Sequence, residues 1–288
     1  MEFEDWAEQE IMSVTSGLNI RVPSAHQSMF KYIGLNTKTS WDYLERMLND
    51  LEILGSTANS LNDPFELSPF IFDDLRPSVI ANSIGDRGYN LTDRLNGKPE
   101  IPIEEKYADV ESYRETAKSY LSRIERNSRI ICFCERSDSP LLWSHYANSY
   151  KGACLHFFGK AFSSHLGQIG YVNYTPHRPT FPLSLALSLA SKPHLKSSKL
   201  RKIEADRMYF FSKAIDWSYE NEMRIVYDIT STKHIKIQKD GLAAIILGPR
   251  MTEEDQTKLR EMVRKSPLAH VPIKLANLST NSYSVQTG

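Results

Sequence analysis

Apolar positions switch between a period of two and a period near 3.6 along this chain, and the switches mark out its elements. MFKYIGL at Met29–Leu35 is the first strand-like run. Trp41, Leu44, Met47, Leu48 and Leu51 then recur at helical spacing, predicting an amphipathic helix to about Asn49 capped by Thr39 or Ser40, with LEILGS as its return strand. Asn62-Asp63-Pro64 signals a turn. Residues from about 70 to 102 are rich in Pro, Gly, Asn and Asp and read as an irregular excursion with room for one short helix. A stripe from Tyr107 to Ile124 predicts a long helix over about 103–126, followed by a buried strand, RIICFCE. Ser139-Pro140 opens a helix through Tyr150, which Gly152 stops. ACLHFFG, QIGYVNYT, KHIKIQ, LAAIILG and HVPIKLA supply further strands; helices are expected near 196–215 and from Thr252 to about Arg264. Strands and helices interleave without a regular βαβ rhythm. This predicts an α+β fold with a mostly antiparallel or mixed sheet and flanking helices. Residues 1–28 read as an N-terminal appendage and 29–288 as one α+β domain carrying the insertion at about 70–102.

WSYENEMRIVYD, Trp217–Asp228, departs from this pattern because charge falls on one face of an otherwise apolar strand. At a period of two, Trp217, Tyr219, Met223 and Ile225 share one face while Glu220, Glu222 and Arg224 line the other. Arg224 is then placed to hold Glu222 ionised, and the two carboxylates to tune each other. A half-exposed strand with a solvated salt bridge explains the same residues without chemistry.

Composition narrows the function classes only a little. The 35 basic residues cancel the 35 acidic ones, which removes any global electrostatic argument for nucleic acid or membrane. A local basic groove stays open. Cys132, Cys134 and Cys154 fit a reducing cytoplasm better than a disulfide framework, and Cys132 and Cys134 read as small buried residues rather than zinc ligands. No apolar run of membrane-spanning length occurs, so a cytoplasmic protein without a bound metal is expected.

Three clusters carry a resemblance: FKY at Phe30–Tyr32 with LNDPFE at Leu61–Glu66, LLWSHYANSYKGACLHF at Leu141–Phe157, and WSYENEMR at Trp217–Arg224. With the late ILGPR at Ile246–Arg250, they resemble a large bacterial family catalogued as a domain of unknown function. The motif order is also similar to that of divergent ADP-ribosyltransferases, which implies an ADP-ribosyltransferase-like fold, NAD as substrate and a macromolecular acceptor, protein or nucleic acid. That resemblance implies Glu222 as the catalytic glutamate and Glu220 as the group serving the acceptor. His145 and Tyr146 join them as catalytic candidates, and Lys31, Tyr32, Asn62, Asp63 and Arg224 form the cofactor-binding set. Lys31 stands where such enzymes more often carry Arg or His, and no Ser-Thr-Ser segment is evident. A toxin or antiphage-defence role with an antitoxin or immunity partner follows from the same resemblance.

Structural readings stand beside these. His145 also fits a hydrogen-bonded helix-packing residue, Trp143 a core residue, and Asn62, Asp63 and Glu66 a pinned turn. Two other classes stay open: a non-catalytic nucleotide- or partner-binding module for defence or regulation, and a metal-dependent nuclease in which Asp63, Glu66, Glu220 and Glu222 hold Mg²⁺.

Overall fold

The computed structural model describes residues 22–85, 101–162, 167–191 and 196–287. Residues 1–21 of the expected appendage and 86–100 of the expected excursion lie outside them. Two compact units emerge, one within Arg21–Thr57, Ser128–Val172 and Asp216–Gly288 and the other within Ala58–Asn127 and Asn173–Ile215. The fold is α+β, with a mixed, mostly antiparallel sheet. No helix among the described residues is long and apolar enough to cross a membrane.

The first unit is built on a seven-stranded sheet. Its strands are β1 (Ser28–Ile33), β2 (Ser128–Cys134), β3 (Ala153–Phe158), β4 (Gln168–Tyr171), β5 (Glu222–Asp228), β6 (Leu242–Leu247) and β7 (Ile273–Leu275). They lie in the order β7-β6-β3-β1-β2-β5-β4, and β6–β7 is the parallel pair. Residues directly opposite one another on paired strands share a face. One face carries Met29, Ile33, Ile131, Phe133, Leu155, Phe157, Met223 and Ile225 into the main core. Against it pack α1 (Lys38–Asp50), through Trp41, Leu44, Met47 and Leu48, and α3 (Glu253–Lys265), through Leu259 and Val263. The periodicity of α1 is as expected, but its cap is Thr37: the hydroxyl accepts from Ser40 N at 3.1 Å and Ser40 Oγ accepts from Thr37 N at 3.2 Å.

The opposite face carries α2 (Pro140–Tyr146) over a smaller cluster of Trp143, Ala147, Cys154 and Ile246, with Phe30, Tyr32 and Tyr150 packed against it. Ala276 and Val285, from the two-stranded Asn277–Leu278/Val285–Gln286 ribbon and its approach, join this cluster.

The second unit is mainly helical. Val110–Asn127 packs on Leu183–Ser191, which also meets Pro77–Ile84 and Lys196–Phe210. Two short parallel pairs complete it, Phe70–Phe72 with Thr180–Pro182 and Asn173–Thr175 with Ser212–Ala214. The long helix expected over 103–126 is two helices, Ile103–Lys106 and Val110–Asn127, because the chain turns at Tyr107–Asp109 and Asp109 Oδ1 accepts from Ser112 N at 3.2 Å. QIGYVNYT likewise splits, at Val172, into strands belonging to different units.

Candidate functional site

The charged segment is only partly a strand. Ile215–Glu220 is a 3₁₀ helix, and β5 begins at Glu222. Ser218 O accepts from Asn221 N at 3.3 Å, and Asn221 takes φ 43°, a left-handed conformation that Asn tolerates better than most residues. The extended Trp217–Asp228 strand is thus corrected to a turn followed by a strand, and Glu220 reaches the acidic site from the turn.

Glu222 and Arg224 lie two residues apart on one face of β5. Arg224 Nε donates to Glu222 Oε1 at 2.7 Å and Nη2 donates to Oε2 at 2.9 Å, a bidentate pair. Arg224 is 0% exposed and Glu222 4%, so this is a buried ion pair and not a solvated one. Register places Glu222 beside Cys134 and Phe30, and Arg224 beside Cys132. Glu220, also 4% exposed, accepts a hydrogen bond from the Tyr146 hydroxyl at the end of α2. Two buried carboxylates are therefore gathered on the α2 side of the sheet, one held by a guanidinium and the other by a phenol.

A strained turn sets the position of Tyr146. Ser139 caps α2, and Trp143 Nε1 donates to Ser137 O at 2.7 Å, which ties the helix down at its start. The helix ends at Tyr146, four residues earlier than expected, because Asn148, Ser149 and Tyr150 take φ of 46°, 53° and 72°. Three consecutive left-handed non-glycine residues cost on the order of 1–2 kcal/mol each and persist only where the surroundings impose them. Two glycines let the surroundings close in. A Cβ on Gly152 would lie 2.1 Å from Ile33 O, and one on Gly248 2.2 Å from Tyr150 O. Gly248 N donates to Gly152 O at 2.9 Å, Arg250 N donates to Tyr150 O at 3.1 Å, and the Arg250 guanidinium lies 5.2 Å from the Tyr150 ring centre. The KG and ILGPR segments thus form the clamp that fixes the exit of α2.

The remaining candidates are placed differently. Lys31 alternates with Phe30 and Tyr32 and so shares the core face with Met29 and Ile33. Its Nζ donates to Cys132 O at 3.4 Å and sits 5.9 Å from the centre of the Phe133 ring. Burial pushes this ammonium below its usual range, against the attraction of Cys132 and Glu222. Tyr32 lies on the α2 face, with its ring edge-on to Trp143 at 5.1 Å and its hydroxyl donating to Arg136 O at 3.0 Å; burial pushes the phenol strongly up. Sequence alternation separates the two residues across the sheet. His145 is exposed and meets the ring of Trp217 at 6.5 Å and that of Tyr146 at 6.2 Å.

Asn62 and Asp63 belong to the other unit. Asp63 Oδ1 accepts from Phe65 N at 2.9 Å and its carbonyl from Glu66 N at 3.1 Å, which pins the turn. The turn borders a cleft of about 560 Å³ also lined by Glu66, Leu121, Glu125 and Tyr209. Its described lining carries the carboxylates Asp63, Glu66 and Glu125. Behind it Lys213 Nζ lies 3.7 Å from Glu66 Oε1, both side chains buried. Sequence reasoning did not find Lys213; nothing in the local pattern SKA marks it.

Among the described residues, no group of three or more His, Cys, Asp or Glu side chains is set to hold a metal ion. Cys134 donates weakly to Phe30 O and Arg136 O, and Cys154 is fully buried within the smaller cluster. No curated protein and no solved structure matches the chain. A family match covers two of the three sequence clusters, including His145, Tyr146, Glu220, Glu222 and Arg224, and leaves out Lys31, Tyr32, Asn62 and Asp63. A domain of the DUF2971 family, described as a protein of unknown function, is found at residues 142–225.

Proposed function

We propose that this protein transfers ADP-ribose from NAD to a macromolecular acceptor. The observation that carries the reading is the pair of buried carboxylates: Glu222 locked bidentately to Arg224, and Glu220 tied to Tyr146. When the nicotinamide–ribose bond breaks, nicotinamide leaves with the bonding electron pair and positive charge grows on the ribose. A carboxylate kept ionised by an adjoining guanidinium favours that transition state over the ground state. The acceptor's lone pair then forms the new bond to the ribose, and its proton passes to Glu220. Tyr146 orients Glu220 in this scheme. An enzyme of this type acting inside its own cell needs restraint, and a toxin or defence setting with an immunity partner follows as part of the proposal.

Incubating the protein with labelled NAD and cell extract tests the reading through nicotinamide release and label transfer. Glu222→Gln retains size and hydrogen bonding while removing charge, so turnover is expected to fall on the order of 10²–10³-fold with an unchanged circular dichroism spectrum. Folded wild-type protein that neither binds NAD nor releases nicotinamide ends the reading.

The second reading is a non-catalytic nucleotide- or partner-binding module. It is favoured by the closure of the carboxylates, with Glu220, Glu222 and Arg224 at 4%, 4% and 0% exposure. Calorimetry separates the two: a binding module takes up NAD or another nucleotide without release of nicotinamide.

A further inference from the structure

The sheet face that carries α2 continues past Tyr32 and Cys154 to a second group of side chains. Ser28, Phe30, His156 and Phe158 lie there, all half-buried, with Ala244 opposite His156 on β6 and the exposed Lys274 on β7. Ser28 stands opposite Phe158 and Phe30 opposite His156, so Ser28 and His156 are diagonal neighbours on one face. Their side chains meet, with His156 Nε2 3.0 Å from Ser28 Oγ. The strand pair does not need this bond for its register, since β1 and β3 are already aligned over every residue from Ser28 to Ile33.

The imidazole is held from two sides. It stacks on Phe30 at 4.5 Å and 23°, and the Phe158 ring meets it at 5.2 Å and 60°. Burial lowers its proton affinity from the usual value of 6.5, and the charge of Lys274 lowers it further, so the ring is neutral at pH 7. With the ring proton on Nδ1, Nε2 accepts from the Ser28 hydroxyl. This is the geometry of a nucleophile paired with its general base, the base being oriented by aromatic stacking.

We infer that Ser28 and His156 form a nucleophilic dyad for acyl transfer from activated esters with an apolar or aromatic acyl group. Phe30 and Phe158 supply ring surface for that group beside Ser28. Ser28 Oγ attacks the acyl carbon and forms the new C–O bond while His156 Nε2 takes the hydroxyl proton. The bond to the leaving oxygen then breaks, and that oxygen keeps the electron pair and receives the proton from His156. Water repeats the two steps on the acyl-serine and frees Ser28. The charge of Lys274 has the sign that the intermediate oxyanion requires. None of Glu220, Glu222, Arg224 or Tyr146 takes part, so the dyad stands apart from the ADP-ribose reading.

The probes, applied to the full chain, are 4-nitrophenyl benzoate and a biotinylated fluorophosphonate. The expected result is continuing release of 4-nitrophenolate and a fluorophosphonate adduct that peptide mapping places on Ser28. Ser28→Ala should abolish the adduct, and both it and His156→Gln should lower release by about 10²-fold or more while remaining folded by thermal unfolding. Release should fall as acid protonates His156. In Lys274→Ala this acid limb should move to higher pH, because loss of the cation returns proton affinity to the imidazole. A bond that only ties β1 to β3 would change thermal unfolding in Ser28→Ala and leave release as it was. Equal release by wild type and Ser28→Ala, or a wild-type protein whose Ser28 takes no adduct, overturns the inference. The adduct test needs no variant, so it decides even where Ser28→Ala fails to fold. NAD does not enter the measurement, and Glu222→Gln should keep the reactivity of Ser28 whatever the transferase assay shows.

Discussion

Tyr146 and Glu220, 74 positions apart in sequence, meet through a hydrogen bond from the phenol to carboxylate Oε1. The contact joins the end of α2 to the 3₁₀ turn before β5, so it couples two elements whose geometry is set independently. Its loss leaves a buried carboxylate less well satisfied. Tyr146→Phe should cost about 1–3 kcal/mol of stability. A double-mutant cycle with Glu220→Gln should show a coupling energy of about 0.5–3 kcal/mol in urea unfolding. Additive single effects would mean that the contact carries no energy of its own.

Alkaline stability follows from the buried thiol and phenols. Burial pushes Cys134 from 9.0 up to about 12, and pushes Tyr120 and Tyr209 from 10.0 up to about 12. In each case the folded state keeps a proton that the unfolded state gives up. Their contribution is complete below pH 9, and it is lost progressively as pH rises from about 9 towards 12. Lys31, whose ammonium is pushed down, acts in the opposite sense below 10.5. The urea midpoint is expected to fall between pH 8 and pH 11, and the fall should be shallower in Cys134→Ala. Cys134 and Cys154 should also react with a thiol reagent far more slowly in the folded protein than in denaturant. A pH dependence in Cys134→Ala as steep as that of the wild-type protein would contradict the burial argument for the thiol.

The alternation of apolar residues announced both faces of the sheet before any strand partner was known. Met29, Ile33, Ile131, Phe133, Met223 and Ile225 all enter one core, and the helical stripe of Trp41, Leu44, Met47 and Leu48 is buried as its spacing requires. Pairing order was not legible. It is set by contacts between distant segments, so sequence could not say that Lys31 and Glu222 stand on opposite faces. Backbone reversals were the other blind spot. Asn221 and the Asn148-Ser149-Tyr150 run take left-handed conformations without glycine, and the residues that impose the latter, Gly152 and Gly248, are separated from each other by 95 positions of intervening chain. In the candidate site, Glu222 and Arg224 followed from period two alone. The approach of Tyr146 to Glu220 required the turn at Asn221, which the Ser218 and Asn221 polar spacing hinted at without fixing.

The Arg224–Glu222 pair allows function to be separated from stability. Burying two charges is costly, and removing one partner leaves the other stranded. Arg224→Met should therefore destabilise the protein by about 3–5 kcal/mol. Replacing both, as Glu222→Leu with Arg224→Met, removes the stranded charge and keeps apolar volume between β2 and β4. Its stability is expected to return to within about 1–2 kcal/mol of wild type, since buried ion pairs and packed apolar side chains often differ little. Urea unfolding of the single and double variants measures this directly. If the pair serves chemistry, the restored double variant folds and still releases no nicotinamide. A double variant that is both stable and fully active would show that Glu222 and Arg224 hold the sheet together and do nothing more.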